Sequence, residues 1–216
     1  MDTFELKREQ LKLASKVQLK DTFSKITTIG GAFCVATHNK LIAAVVVLSY
    51  PSLELKESQV FLLNEPLPYM PHFVAYREMP AIIEAYNKLE EEPDLLLING
   101  SGILHPRKIG IASHMGLLLN KPTIGVTPTL PCGEVEKGKI LLDGDVCGFE
   151  ITTKQFANAL FVSPGHNISL GSVLHYMPQL IKYPHKLPEP LHLAHKLARK
   201  KLKEVLGSVF LPNLSI

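Results

Sequence analysis

Leucine, alanine and valine recur at helical spacing at the start of the chain (Leu6, Leu11, Leu13, Ala14, Val17) and predict a helix over residues 3–20. From Ile26 to Thr37 the pattern turns β-like, and Gly30-Gly31 inside that run marks a close backbone approach or a bulge. Leu41 to Leu48 and Glu54 to Leu62 are β-branched or alternating runs separated by Tyr50-Pro51-Ser52, which predicts an antiparallel meander. Pro66, Pro68 and Pro71 then enforce a stiff, extended connector, because each fixes its own φ and biases the preceding residue away from the α region. Phe73 to Leu89 is amphipathic, with Val74, Ile82, Ile83 and Tyr86 on its apolar face, and Pro93-Asp94 ends it.

Leu95 to Ile98 is a short apolar strand running into Asn99-Gly100-Ser101-Gly102; a helix over Arg107 to Asn120 and a buried strand over Thr123 to Val126 follow. Beyond these the pattern predicts a hairpin from Lys139 to Thr152 turning at Asp143-Gly144 and a strand at Leu160 to Val162. It closes with a helix over Leu170 to Leu180 and a basic amphipathic helix from about Pro190 to Leu206. The class is α/β: a mixed five- or six-stranded sheet, antiparallel in its first three strands and then parallel, flanked by helices on both faces.

No linker, repeat or low-complexity tract divides the 216 residues, so one domain spanning 1–216 is expected. The longest apolar run, Leu41 to Tyr50, is about half of the roughly 20 residues a membrane helix needs, which argues against a membrane partner. The first residues are charged (Glu5, Lys7, Arg8, Glu9) and offer no apolar signal segment, so the expected compartment is the cytoplasm. Cys34, Cys132 and Cys147 are too few and scattered for a disulfide framework and are expected as reduced thiols in or near the core. A net charge of +3 permits a polyanionic partner without requiring one, because clustering matters more than the total. Lys196, Arg199, Lys200, Lys201 and Lys203 form one such cluster, which reads equally as a solvated helix face or as phosphate contacts.

Two segments can carry chemistry. In Pro68-Tyr69-Met70-Pro71 a tyrosine sits between prolines, so its ring is either a stiffly presented stacking surface or a plug packed on the body. In Asn99 to Arg107 two glycines, His105 and Arg107 converge between a strand and a helix, where α/β folds gather ligands and glycine lets a base or phosphate approach the main chain.

Several stretches resemble endonuclease V in order and spacing. They are Tyr69, Tyr76-Arg77-Glu78-x-Pro80-Ala81, Gly100-x-Gly102-Ile103-x-His105-Pro106-Arg107, Gly110-x-Ala112-Ser113-His114, Pro122 to Val126, Cys132-Gly133, Ser163 to His166 and Leu187 to Pro190. The resemblance implies an RNase H-like fold and, in active members, a Mg²⁺-assisted cut near inosine or deoxyinosine, in DNA repair or on RNA. It implies that Tyr69, with Pro68, Met70 and Pro71, is a strand wedge, and that Gly100, Ser101, Gly102, Ile103 and His105 form the pocket for a flipped hypoxanthine. Arg107, Lys108 and the C-terminal lysines would contact phosphates.

At the metal the resemblance fails. The family's first aspartate is Phe33, and no acid lies between Asp21 and Glu54; its second is Asn99, with none between Asp94 and Glu134. The family's phosphate-handling lysine is Pro128, and the histidine between its loop glycines is Ser101. Glu78 remains as a metal carboxylate, and His195 matches a C-terminal ligand position more loosely. Glu78, Asn99 and His195 are therefore vestigial catalytic candidates, since one carboxylate is a poor holder of hard cations. Three expectations follow. The first is a protein that binds inosine-containing or distorted DNA or RNA without cutting it. The second is a weakened Mg²⁺- or Mn²⁺-dependent nuclease using those three residues, and the third is a protein kept for interactions alone, its cleft closed by Phe33. A set of His105, His166, His195 and Glu78 around Zn²⁺ or Mn²⁺ competes with plain structural roles for the histidines. Metal dependence, the choice between DNA and RNA, and the oligomeric state stay open at this stage.

Overall fold

A computed structural model describes residues 3–37, 39–154 and 156–207. In chain order the elements are α1 (Thr3–Ala14), β1 (Thr28–Ala36), β2 (Lys40–Ser49), β3 (Leu55–Asn64), α2 (Val74–Tyr86), β4 (Leu95–Asn99), α3 (Ile111–Leu119) and β5 (Thr123–Thr127). They continue with β6 (Glu134–Glu136), β7 (Lys139–Leu142), β8 (Asp145–Ile151), β9 (Leu160–His166), α4 (Leu170–Gln179) and α5 (Glu189–Gly207). The ends of the expected 1–216 domain lie outside the described residues.

The nine strands among the described residues join one sheet in the order β3-β2-β1-β4-β5-β9-β8-β7-β6. The meander forms as the alternation predicts: β1 pairs antiparallel with β2, and β2 with β3. β4 then adds parallel to β1, and β5 parallel to β4. The sheet is wider than the five or six strands expected, because β9 returns antiparallel on β5 and carries the β6–β8 ribbon with it. Asp143 and Gly144 turn that ribbon with φ of 55° and 84°, the two left-handed residues a two-residue hairpin loop requires.

Side-chain alternation splits the core between the two faces. On one face Ile29, Leu95, Leu97, Ile124 and Val162 meet Leu191, Ala194 and Ala198 of α5 and Val173 and Met177 of α4. On the other, Ala32, Leu96 and Ile98 meet Ala81, Ile82 and Ala85 of α2 and Ile111 and Met115 of α3. The central strands are buried on both faces, which explains their continuous apolar runs. Gly31 is the close approach foreseen for Gly30-Gly31: a Cβ there would collide with the Pro190 carbonyl, so its absence lets α5 lie directly on β1.

Two helices differ from expectation. α1 stops at Ala14 because the chain beyond it is drawn to β9, with Gln18 N–H donating to His166 Nδ1 and Asn167 N–H donating to the Gln18 carbonyl. Its buried residues are Leu6 and Gln10, while Leu11 is exposed. α3 begins at Ile111 instead of Arg107. Lys108 takes a left-handed φ of 52°, and Gly110 and Ala112 donate to the Gly102 and Ser101 carbonyls.

Candidate nucleic-acid interface and metal centre

The parallel strands β4 and β5 end beside the loop between β3 and α2, and a cavity of about 230 Å³ opens between them. Its wall includes Tyr69, Pro71, His72, Gly100, Ser101 and His105, together with Gln10, Thr127 and Thr129, which sequence reasoning missed. Tyr69 is 64% exposed, so its ring stands at the mouth and is not packed away on the body. Arg77 holds the stem of that loop by donating from Nη1 to the Leu67 carbonyl at 2.6 Å.

His105 forms a wall of the cavity with its ring nitrogens already engaged. Nδ1 accepts from the Arg107 backbone N–H at 3.2 Å, which leaves Nε2 as the protonated nitrogen donating to the His72 carbonyl at 3.1 Å. Burial holds this imidazole down at about 4, with the neighbouring Arg107, His72 and His114 adding to the effect, so it is neutral near pH ~7. Hydrogen bonds to a ligand must therefore come from the Ser101 hydroxyl, the Thr127–Thr129 edge and exposed main chain.

The other expected pocket, phosphate-contact and wedge residues lie elsewhere. Gly102 and Ile103 are buried behind the cavity: Gly102 N–H donates to Ser163 Oγ, a Cβ there would collide with the Pro164 carbonyl, and Ile103 joins a small core cluster. The Arg107 side chain turns inward, with Nε on Gln10 Oε1 at 2.6 Å and Nη2 on the His72 carbonyl at 3.2 Å. Lys108 faces the β7–β8 ribbon and pairs with Asp145 at 3.2 Å. Pro68 and Met70 flank Tyr69 in sequence and do not line the cavity.

The metal positions tell a different story. Phe33 belongs to the apolar cluster on the α5 face, and its ring lies 4.5 Å, centroid to centroid, from that of His195. Strand pairing runs through Ala32 and Ile98, so Asn99 comes next along β4 and alternation turns it to the Phe33 side. Glu78, half-buried on α2, engages the other face of β1, where the Cys34 thiol donates to its carboxylate. Burial pushes the Glu78 carboxyl up to about 7, against the opposing pull of Arg77 and Cys34. Burial, Arg199 and His192 hold the His195 imidazole below its ordinary value. Among the described residues no three His, Cys, Asp or Glu side chains are arranged to hold a metal ion. His105, His166 and His195 do not meet: the first two are engaged as described above, and the third lies against Phe33.

The family model for endonuclease V matches residues 11–196. The chain belongs to the endonuclease V family. Endonuclease V of Rippkaea orientalis is 41% identical over 208 residues, covering 91% of this chain and 90% of that one. Endonuclease V of Dictyoglomus turgidum is 36% identical over 211 residues, covering 93% and 92%. Among solved structures, endonuclease V from Bacillus subtilis superposes with a TM-score of 0.87 at 29% identity, covering 96% of this chain and 95% of that one. Endonuclease V of Ciona intestinalis, in complex with a 24mer DNA containing an inosine followed by a ribo-adenosine, gives a TM-score of 0.85 at 26% identity, with 94% and 98% covered. The fold is thus the RNase H-like α/β fold of endonuclease V, and no helix among the described residues is long and apolar enough to cross a membrane.

Endonuclease V is a metal-dependent family, and the donors of this member do not suit a hard dication. Mg²⁺ and Mn²⁺ need anionic oxygens converging at about 2.1 Å. Here one carboxyl holds its proton up to about 7. Asn99 offers a neutral amide and Phe33 a phenyl ring packed on His195, so neither adds an anionic oxygen.

Proposed function

We infer that this protein is a nucleic-acid-binding member of the endonuclease V family that admits a purine base, with inosine as the leading ligand, and does not cut the strand. The observation that carries this reading is the division between two neighbouring places. The exposed Tyr69 and the glycine loop still enclose a base-sized cavity, while Phe33 closes against His195 where cations would sit. The inosine-containing DNA bound by the Ciona intestinalis relative supports the ligand class.

Tyr69 acts as the wedge, stacking on the bases that flank the extruded one. Ser101, Gly100, Thr127 and Thr129 line the space the base enters. The phosphate contacts fall to α5 in place of Arg107 and Lys108. Its Lys196, Arg199, Lys200 and Lys203 are all exposed, on a helix that passes over Gly31 and Phe33 of β1 and continues across β2 towards β3.

Fluorescence anisotropy with matched inosine- and adenosine-containing oligonucleotides, as DNA and as RNA, tests the proposal. Preference for inosine in either form, with no product under excess protein and Mg²⁺ or Mn²⁺, is the expected result. Equal, weak binding to both that salt fully suppresses would remove the base pocket. Divalent-dependent nicking lost in Glu78→Ala would instead assign a residual nuclease.

A further inference from the structure

The loop from Glu65 to Phe73 has no helix or strand of its own, yet it must present Tyr69 in one place to act as a wedge. The structure gathers three side-chain donors on a single atom of that loop. The His72 carbonyl accepts from Gln10 Nε2 at 2.9 Å, from His105 Nε2 at 3.1 Å and from Arg107 Nη2 at 3.2 Å. Gln10 also closes a ring, its Oε1 accepting from Arg107 Nε at 2.6 Å, and the Arg107 guanidinium lies over the Phe73 ring, 4.9 Å from its centroid.

Two further observations point the same way. His72 has a φ of 64°, a left-handed conformation uncommon for a non-glycine residue, which the three donors on its carbonyl help to hold. Gln10 is 1% exposed on a helix whose other buried residue is Leu6, so a polar side chain takes the place of an apolar anchor. A buried amide satisfied on both its ends fixes geometry in a way an apolar residue there could not.

We propose that Gln10 and Arg107 are positioning residues: through the His72 carbonyl they lock the Tyr69 loop against the glycine loop, which makes the N-terminal helix part of the recognition apparatus. Locking matters because a wedge held in its bound form does not pay an ordering penalty when it enters the strand. The consequence for affinity rests on the ligand reading above; the locking itself does not.

The chain has no tryptophan, so Tyr69→Trp creates a single fluorescent reporter on the loop. Acrylamide quenching of that reporter, and affinity for an inosine-containing oligonucleotide, are to be compared in the Gln10, Gln10→Met and Gln10→Glu backgrounds. A melt of each variant verifies that it is folded. Methionine matches glutamine in length but makes neither bond, so quenching rises and affinity falls about tenfold, the worth of one to two net hydrogen bonds. Glutamate keeps the acceptor for Arg107 but gives no donor to His72, so it falls between the two and serves alone should the methionine variant not fold. Unchanged quenching in the folded variants overturns the proposal. Increased quenching in a protein that never separates inosine from adenosine leaves the positioning role standing and removes the ligand reading.

Discussion

Glu78→Gln tests the state of the expected metal position through stability. The carboxyl is pushed up to about 7 by burial, from an ordinary 4.5, so the folded chain binds this proton more tightly than the unfolded one. Its contribution is therefore fully present below about pH 4.5 and is lost as pH rises through about 7. With each tenfold change in proton affinity worth about 1.4 kcal/mol, complete ionisation costs the native state about 3 kcal/mol.

His105 works in the opposite sense: held at about 4, it contributes stability above an ordinary 6.5 that is lost as pH falls towards 4. The two slopes offset each other between roughly pH 4.5 and 6.5, so the parent's profile there is flatter than either group alone would give. Removing the carboxyl unmasks the histidine. The Gln variant gains on the parent as pH rises, by up to about 3 kcal/mol near pH ~8 less the lost Cys34 contact, and weakens more steeply in acid. His114 and His166, also held down by burial, add to that acid slope.

Urea melts across a pH series measure both effects. Repeating them with about 10 mM Mn²⁺ adds a second reading, because an ion held by Glu78 with a Kd of about 1 mM would stabilise the parent by about 1.4 kcal/mol and the variant not at all. Identical pH profiles for the two proteins would refute the buried, proton-holding carboxyl. Mn²⁺-dependent stabilisation that disappears in the Gln variant would refute the proposed absence of a metal centre.

Two further outcomes are expected. Tyr69→Ala should weaken binding to an inosine-containing oligonucleotide by about 1–3 kcal/mol, the range for removing one base–aromatic stack, while leaving the melting temperature nearly unchanged because the ring is exposed. Lys200→Ala on α5 should lower affinity for inosine and adenosine strands alike, and should reduce the slope of log K against log salt by about one; an unchanged slope would place the backbone on another face.

The antiparallel meander and the two parallel additions were legible because β1, β2, β4 and β5 carry unbroken or alternating apolar runs bounded by proline and glycine. β6 was not. Its Glu134, Val135 and Glu136 are all exposed, so no buried face imposes a period on the sequence. The ends of α1 and α3 were misjudged where hydrogen bonds from distant residues, those of Gln18 with β9 and of Gly110 with Gly102, override local helical preference. Within the site, Tyr69, Gly100, Ser101 and His105 were readable because they crowd into two short, unusual segments. The inward bonds of Arg107 to Gln10 and the His72 carbonyl were not legible, since a sequence gives no sign of whether a guanidinium faces solvent or a neighbouring carbonyl. Gln10 went unnoticed among the charged residues of α1. Its spacing of four from Leu6 was the available signal, as it puts the amide on the one face that Leu6 buries.

The contact between Phe33 and His195 also bears on the history this chain can still have. Aspartate at 33 alone would bring a carboxylate into an apolar cluster with only the His195 imidazole beside it, and aspartate at 99 alone would supply one oxygen donor to a place still filled by a ring. Each change is expected to be unfavourable without the other, so their effects should be strongly non-additive. The ring acts as a ratchet. On the reading proposed above, a ring packed on the α5 imidazole leaves selection free to refine what the cavity holds while closing the one-substitution route to a metal centre on this strand.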